Sequence, residues 1–213
     1  MKKKITILTL TLILLVSAAS YADFGLSADV FSRYVWRGTD FGNSVSVQPS
    51  LNYTIGALEI GAWASYPITS DLTSLGSNEN DLYLTYSIGN LGLTVTDYYF
   101  PEAGDVFDYT SEDAIHFLEG SVSCSLGPVG LLAGYFFSGD DDNSVYAEVS
   151  WGFYEKEDVS ASLIVGAGNG MYVVEDDFSV VNVGLSVSKG AMSASYIINP
   201  DSETNFLVFG YSF

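Results

Sequence analysis

Beyond residue 23 the chain alternates between apolar and polar side chains in stretch after stretch. A period of two means extended strands with two unlike faces. The cleanest run is 44–55, where Val45, Val47, Pro49, Leu51, Tyr53 and Ile55 oppose Ser46, Gln48, Ser50, Asn52 and Thr54. The last nine residues repeat the pattern, with Leu207, Phe209, Tyr211 and Phe213 sharing one face. A terminal strand with such a face invites aggregation when its edge is free, whereas a closed barrel pairs it on both sides. Taken alone, that segment also fits an edge strand of a soluble sandwich. Taken together, about twelve such segments predict an all-β fold: a single antiparallel, up-and-down transmembrane β-barrel.

Three features sharpen this. Connections after even-numbered segments are short, as at Gly56, Gly89-Asn90, Gly127-Pro128 and Ser188 to Gly190, while those after odd ones are mostly longer and acidic. Short turns at one end and long loops at the other are the habit of outer-membrane barrels. Charges within the segments fall in the polar register, namely Asp29, Arg33, Arg37, Glu59, Asp81, Glu119 and Glu148, with Asp97 the exception. Aromatics of the apolar register gather at the segment ends. Tyr34, Trp36, Tyr66, Tyr99, Tyr135, Phe137 and Tyr196 fall at one height, and Phe24, Tyr53, Trp151, Phe153, Phe209, Tyr211 and Phe213 at the other. Two aromatic belts around an aliphatic band are what a bilayer selects. Here the first strand is expected to run from Phe24 to Arg37.

Residues 1–22 read as a signal peptide: Lys2 to Lys4, an apolar run from Ile5 to Val16, and Ser20-Tyr21-Ala22 before a cleavage point. The run is short of the ~20 residues that a spanning helix needs. Residues 23–213 then form the barrel. That part holds four basic residues, Arg33, Arg37, Lys156 and Lys189, against 26 acidic ones. Such a balance excludes nucleic acid, which needs a basic footprint. The single Cys124 forms no internal disulfide and reads as a small hydrophobe.

Ser32-Arg33-Tyr34-Val35-Trp36-Arg37-Gly38 and Gly61-Ala62-Trp63-Ala64-Ser65 resemble motifs of the bacterial TorF-type porin family, with weaker echoes at Tyr98 to Pro101 and Phe137 to Asp140. The resemblance implies an outer-membrane barrel with a channel role.

The candidate site is a lumenal constriction of Asp29, Arg33, Arg37, Glu59, Glu119 and Glu148, with Arg33, Glu119 and Glu148 expected at similar heights as an ion-pair ladder. The competing reading is that these groups satisfy one another inside a plugged barrel. Twelve strands lie between barrels that side chains fill and those that enclose a wide channel. The expected activity is passive diffusion of small cationic or neutral solutes, with no cofactor. A non-conducting structural or partner-binding barrel is the alternative. Expected partners are outer-membrane lipid, the solutes, and the barrel-assembly machinery, which would read Leu207, Phe209, Tyr211 and Phe213. Asp140-Asp141-Asp142-Asn143 lacks the spacing of a calcium loop and reads as a solvated acidic loop. His116 and Glu119, three apart on a strand, face opposite sides and form no catalytic dyad.

Overall fold

The computed structural model describes residues 22–69, 78–101, 106–109, 115–175 and 177–213. The expected signal peptide lies outside them except for Ala22, the first residue of β1. Among these described residues are fourteen strands: β1 (Ala22–Phe31), β2 (Tyr34–Trp36), β3 (Thr39–Gly42), β4 (Ser46–Ile55), β5 (Leu58–Pro67), β6 (Glu79–Ile88), β7 (Leu91–Tyr99), β8 (His116–Leu126), β9 (Val129–Ser138), β10 (Val145–Lys156), β11 (Val159–Gly168), β12 (Ser179–Lys189), β13 (Met192–Asn199) and β14 (Thr204–Ser212). Twelve of them, β1 and β4 to β14, close an antiparallel barrel; β2 and β3 form a separate two-stranded hairpin.

Five two-residue turns join the strands at one end: 56–57, 89–90, 127–128, 157–158 and 190–191. In each, only the first residue has a positive φ, from Gly56 at 60° to Glu157 at 57°. That is the pattern of a type II′ hairpin turn, whose twist matches the flanking strands. The longer connections lie at the opposite end. Closure is uneven. β1 pairs with β4 from Ala22↔Ile55 to Phe31↔Ser46, but with β14 only from Asp29↔Ser212 to Phe31↔Gly210. Backbone bonds from Ser32 to the Phe209 carbonyl, 2.8 Å, and from Phe213 to the Ala28 carbonyl, 3.0 Å, lengthen this seam slightly.

The alternation sorts side chains as expected. Leu207, Phe209, Tyr211 and Phe213 all point outward and are exposed. So are Tyr66, Tyr135, Phe137 and Tyr196 near the long-loop end, and Phe24, Trp151 and Phe153 near the short-turn end. Gln48, Ser65, Asp81 and Glu119 point inward and are buried.

The first expected strand is corrected. It does not continue to Arg37: the wall strand stops at Phe31 and the chain turns inward at Ser32. Tyr34 and Trp36, expected in the outer aromatic belt, belong to the hairpin. Tyr34 is buried against Trp63 of β5, and Trp36 packs on Tyr98 of β7, with ring centroids 5.4 Å apart in each case. The physical reason is that a hairpin folded inside a barrel also presents one face to a wall and one to its own surroundings. Its sequence therefore alternates just as a wall strand does.

Candidate functional site

The hairpin β2–β3 is the centre of the site. Its turn is Arg37-Gly38, with φ of 51° and 82°. Two positive angles make the tight type I′ form, for which glycine is suited at the second position. A Cβ on Gly38 would stand 1.9 Å from the Val181 carbonyl oxygen of β12, so the turn presses directly on the wall. The Gly38 carbonyl also accepts a bond from Asn199 Nδ2 of β13, at 3.3 Å. A two-stranded hairpin that touches β5, β7, β8, β10, β12 and β13 can only lie within the lumen. It occupies the long-loop end.

Arg37 carries the strongest contact. Its guanidinium forms a two-pronged ion pair with Glu119 of β8; Nη2 lies 2.9 Å from Oε1, and Nη1 bonds both Oε2 and the Tyr172 hydroxyl. It also stacks over the rings of Trp36, at 4.3 Å, and Tyr146, at 4.6 Å. A planar fork suits both the carboxylate and the aromatic faces. Burial alone would push the guanidinium's pKa down, but the hydrogen bonds to Glu119 and that carboxylate's charge hold it above its ordinary value. Gly134 leaves the space that Glu119 fills, because a Cβ there would lie 2.7 Å from the carboxylate. Gly166 does the same for the Tyr146 hydroxyl, at 2.0 Å. Both glycines make room for a neighbour's side chain.

Tyr172 sits on a single 3₁₀ turn, Gly170–Tyr172, in the β11–β12 connection. It joins Phe136, Tyr146 and Val181 in a buried cluster, with Trp36, Tyr98 and Phe117 packed around it. The plug is thus the hairpin plus this aromatic cluster.

The expected ladder is therefore rearranged. Arg37, not Arg33, meets Glu119, because the hairpin carries its tip to the lumen centre and leaves its base at the rim. Arg33 stays at that base, where it pairs with Asp40 at 3.0 Å, bonds Asn43 and covers the Phe206 ring. Glu148 joins indirectly: it accepts the Tyr146 hydroxyl at 2.6 Å, and Arg37 stacks on that same ring. Asp29 faces inward on β1 opposite Gln48. Glu59 lies nearer the short turns, accepting Asn52 at 3.1 Å and Thr54 at 3.2 Å. The two lie apart from the Arg37 centre. The sequence reading missed Tyr146, Tyr172 and Asn182. A tyrosine in the polar register, such as Tyr146 beside Glu148, was the available sign.

Two further residues fall outside the lumen. Asp97, the one charge in the apolar register, faces outward and bonds His116 Nδ1 at 2.8 Å and the Tyr109 hydroxyl at 2.7 Å. His116 lies between the Tyr99 and Tyr109 rings, and its Nε2 faces the Val106 carbonyl at 3.1 Å. Glu119 points the other way, so the two form no dyad. Asp140 spends its carboxylate on the backbone N–H groups of Asp142, at 3.3 Å, and Ser144, at 2.6 Å.

Toward the short turns the inward side chains change character. Cross-strand hydroxyl pairs line the wall: Ser27–Ser50 at 2.6 Å, Thr85–Thr94 at 2.8 Å, Ser160–Ser188 at 2.7 Å and Ser186–Ser195 at 2.7 Å. These residues remain half-buried or exposed.

Among family models, one described as "Bacterial protein of unknown function (Gcw_chp)" matches residues 16–211. No curated protein matches the chain. Among solved structures, a mutant of the Rh. blastica porin is similar: 10% identical, covering 90% of this chain and 100% of its own, with a TM-score of 0.38.

Proposed function

This chain belongs to the Gcw_chp family of bacterial proteins of unknown function, and we propose that it is a gated outer-membrane channel for small cationic or neutral solutes. The observation that carries this reading is the plug: a hairpin held in the lumen by a buried ion pair, with cross-strand hydroxyl pairs on the wall toward the short turns. An exterior of exposed apolar strands with an aromatic residue at many strand ends fits hydrocarbon between two polar interfaces. The likeness of Ser32 to Gly38 and of Gly61 to Ser65 to TorF-type porins supports the same role, and here the first of these motifs is the plug itself.

In this reading residues 1–22 export the chain and are removed, and the assembly machinery reads the outward face of β14. Solutes cross when the hairpin leaves its seat. The acid excess of the chain favours cations. Purified full-length protein in a planar bilayer tests this: infrequent openings that prefer cations are expected, and anion preference contradicts the selectivity. The occluded lumen also supports a second reading, a non-conducting barrel that serves the envelope or binds a partner. Silence even after the hairpin is removed would decide for that one.

A further inference from the structure

We propose that the plug opens by strand exchange: residues 33–37 leave the lumen, prolong β1 and pair with the vacant edge of β14. On one side β14 is paired with β13, from Tyr211↔Met192 to Thr204↔Asn199. On the other, β1 pairs with it only at Ser212, Tyr211 and Gly210, because the chain turns inward at Ser32. Among the described residues no strand lies along that side of Thr204 to Val208. The bonds at the seam show which groups are left facing it. Phe213 N–H meets the Ala28 carbonyl, and the Phe209 carbonyl accepts Ser32 N–H, so the odd-numbered residues of β14 face β1. The N–H and C=O groups of Leu207 and Asn205 therefore point to the vacant side. An unpaired edge of this kind is unfavourable at the border of a bilayer.

The segment that leaves the wall fits that edge residue for residue. In the register of Phe31↔Gly210, a continued β1 sets Arg33 opposite Val208, Tyr34 opposite Leu207, Val35 opposite Phe206, Trp36 opposite Asn205 and Arg37 opposite Thr204. The two ends coincide: Thr204 is the first residue of β14, and Gly38 follows Arg37. The faces match as well. Tyr34 and Trp36 fall in the register of Leu26 and Val30 and would point outward. Leu207 is the cross-strand partner of Tyr196, an exposed member of the outer aromatic belt, so both rings would join that belt. Arg33 and Arg37 would point into the lumen, so the exchange puts no charge in lipid.

Ser32 is the hinge. Phe209 N–H bonds the Ser32 hydroxyl at 3.0 Å, where a continuing ladder would offer the Ser32 carbonyl. The hydroxyl thus ends the seam while the backbone turns away. Arg33, over the Phe206 ring, keeps the base of the hairpin against β14. Each position of the segment has its own contacts. In the lumen it holds the Arg37–Glu119 pair and the ring contacts of Tyr34 and Trp36. On the wall it would gain hydrogen-bonded pairs of Tyr34 with Leu207 and Trp36 with Asn205, and set both rings at the interface. A segment with two such seats is a two-position element of the kind that switches. The proposal rests on the gated-channel reading and names where the hairpin goes when it leaves its seat.

The test uses the full chain in a planar bilayer, in a Cys124→Ala background. Leu207 points outward from the barrel and Tyr34 is buried inside it. Tyr34→Cys/Leu207→Cys can therefore form a disulfide only after the exchange, when the two are cross-strand neighbours. Trp36→Cys/Asn205→Cys is a second such pair, and it decides should the first fail to fold. The control is Tyr34→Cys/Leu185→Cys, with Leu185 in the same outward row two strands on. Under a mild oxidant the in-register pairs should crosslink and the control should not. The locked barrel should stay open at least tenfold more of the time, and a reductant should reverse this. No disulfide in either in-register pair overturns the proposal, as does equal crosslinking to Leu185. A disulfide with no rise in current supports the exchange and contradicts the channel. No disulfide, in a chain that conducts once residues 33–42 are removed, contradicts the exchange only.

Discussion

At the long-loop end of the lumen the inward positions carry Tyr98, Glu119, Phe136, Tyr146 and Asn182, set against a hairpin of Tyr34, Trp36 and Arg37. At the short-turn end the same strands turn in Ser and Thr, paired hydroxyl to hydroxyl across the strands. The strands are continuous between the two regions, so the backbone does not set the difference. Side-chain volume does. A wall of twelve strands encloses more space than its own side chains fill, and the long-loop end fills it with an extra supersecondary element and large rings. The short-turn end turns in smaller side chains, and four hydroxyl pairs there bond one another across neighbouring strands and need no filler to satisfy them. One region is filled by large rings, the other lined in part by small hydroxyl side chains.

Removing the plug should erase the contrast. Replacing residues 33–42 with a short Gly-Ser link is expected to leave the barrel folded, since the hairpin contributes no wall strand. Bilayer conductance should rise on the order of tenfold as a plugged lumen becomes a water-filled one. An unchanged current would mean the hairpin is not the obstruction.

Arg37→Ala is the next largest effect. It strands Glu119, itself 2% exposed, as an unpaired buried acid, which costs about 3–5 kcal/mol. Hydrogen exchange at the Tyr34–Trp36 amides should accelerate accordingly. Arg37→Lys should recover only part of this, because an ammonium cannot reproduce the two-pronged, ring-stacked geometry.

Gly38→Ala forces a side chain into a left-handed turn and against the Val181 carbonyl. Hairpin seating should weaken by roughly 1–3 kcal/mol, read by the same exchange experiment, with the thermal stability of the wall unchanged. Ser186→Ala, in the hydroxyl-lined region, should change barrel stability by only about 0.2–1 kcal/mol and leave conductance alone. A large effect there would show that the open region is a tuned site and not a plain vestibule.

The wall was legible in the sequence because its cause is local. Every second residue meets one environment, and two-residue turns such as Gly89-Asn90 punctuate it. The last strand and its outward face, Leu207 to Phe213, could be read from nine residues. The plug was not legible by the same rule. Tyr34 and Trp36 keep the alternation of Leu26 and Val30, and periodicity cannot tell a barrel wall from a hairpin folded within it. Two signs were present. A first strand from Phe24 to Arg37 is longer than the ~9–11 residues that cross a bilayer. Arg37-Gly38 between β-formers also carries turn chemistry. Partner choice in the lumen was less legible still. Whether Arg33 or Arg37 reaches Glu119 depends on where the chain leaves the wall, a question of tertiary packing.

The asymmetry of the lumen can be measured directly. In a Cys124→Ala background, a cysteine at Ser186 is placed in the open region, and a membrane-impermeant thiol reagent is applied to oriented vesicles from one side at a time. Fast labelling from the short-turn side and slow labelling from the long-loop side is the expected result, with the difference abolished when residues 33–42 are removed. Equal labelling from both sides with the hairpin in place would contradict a plugged lumen.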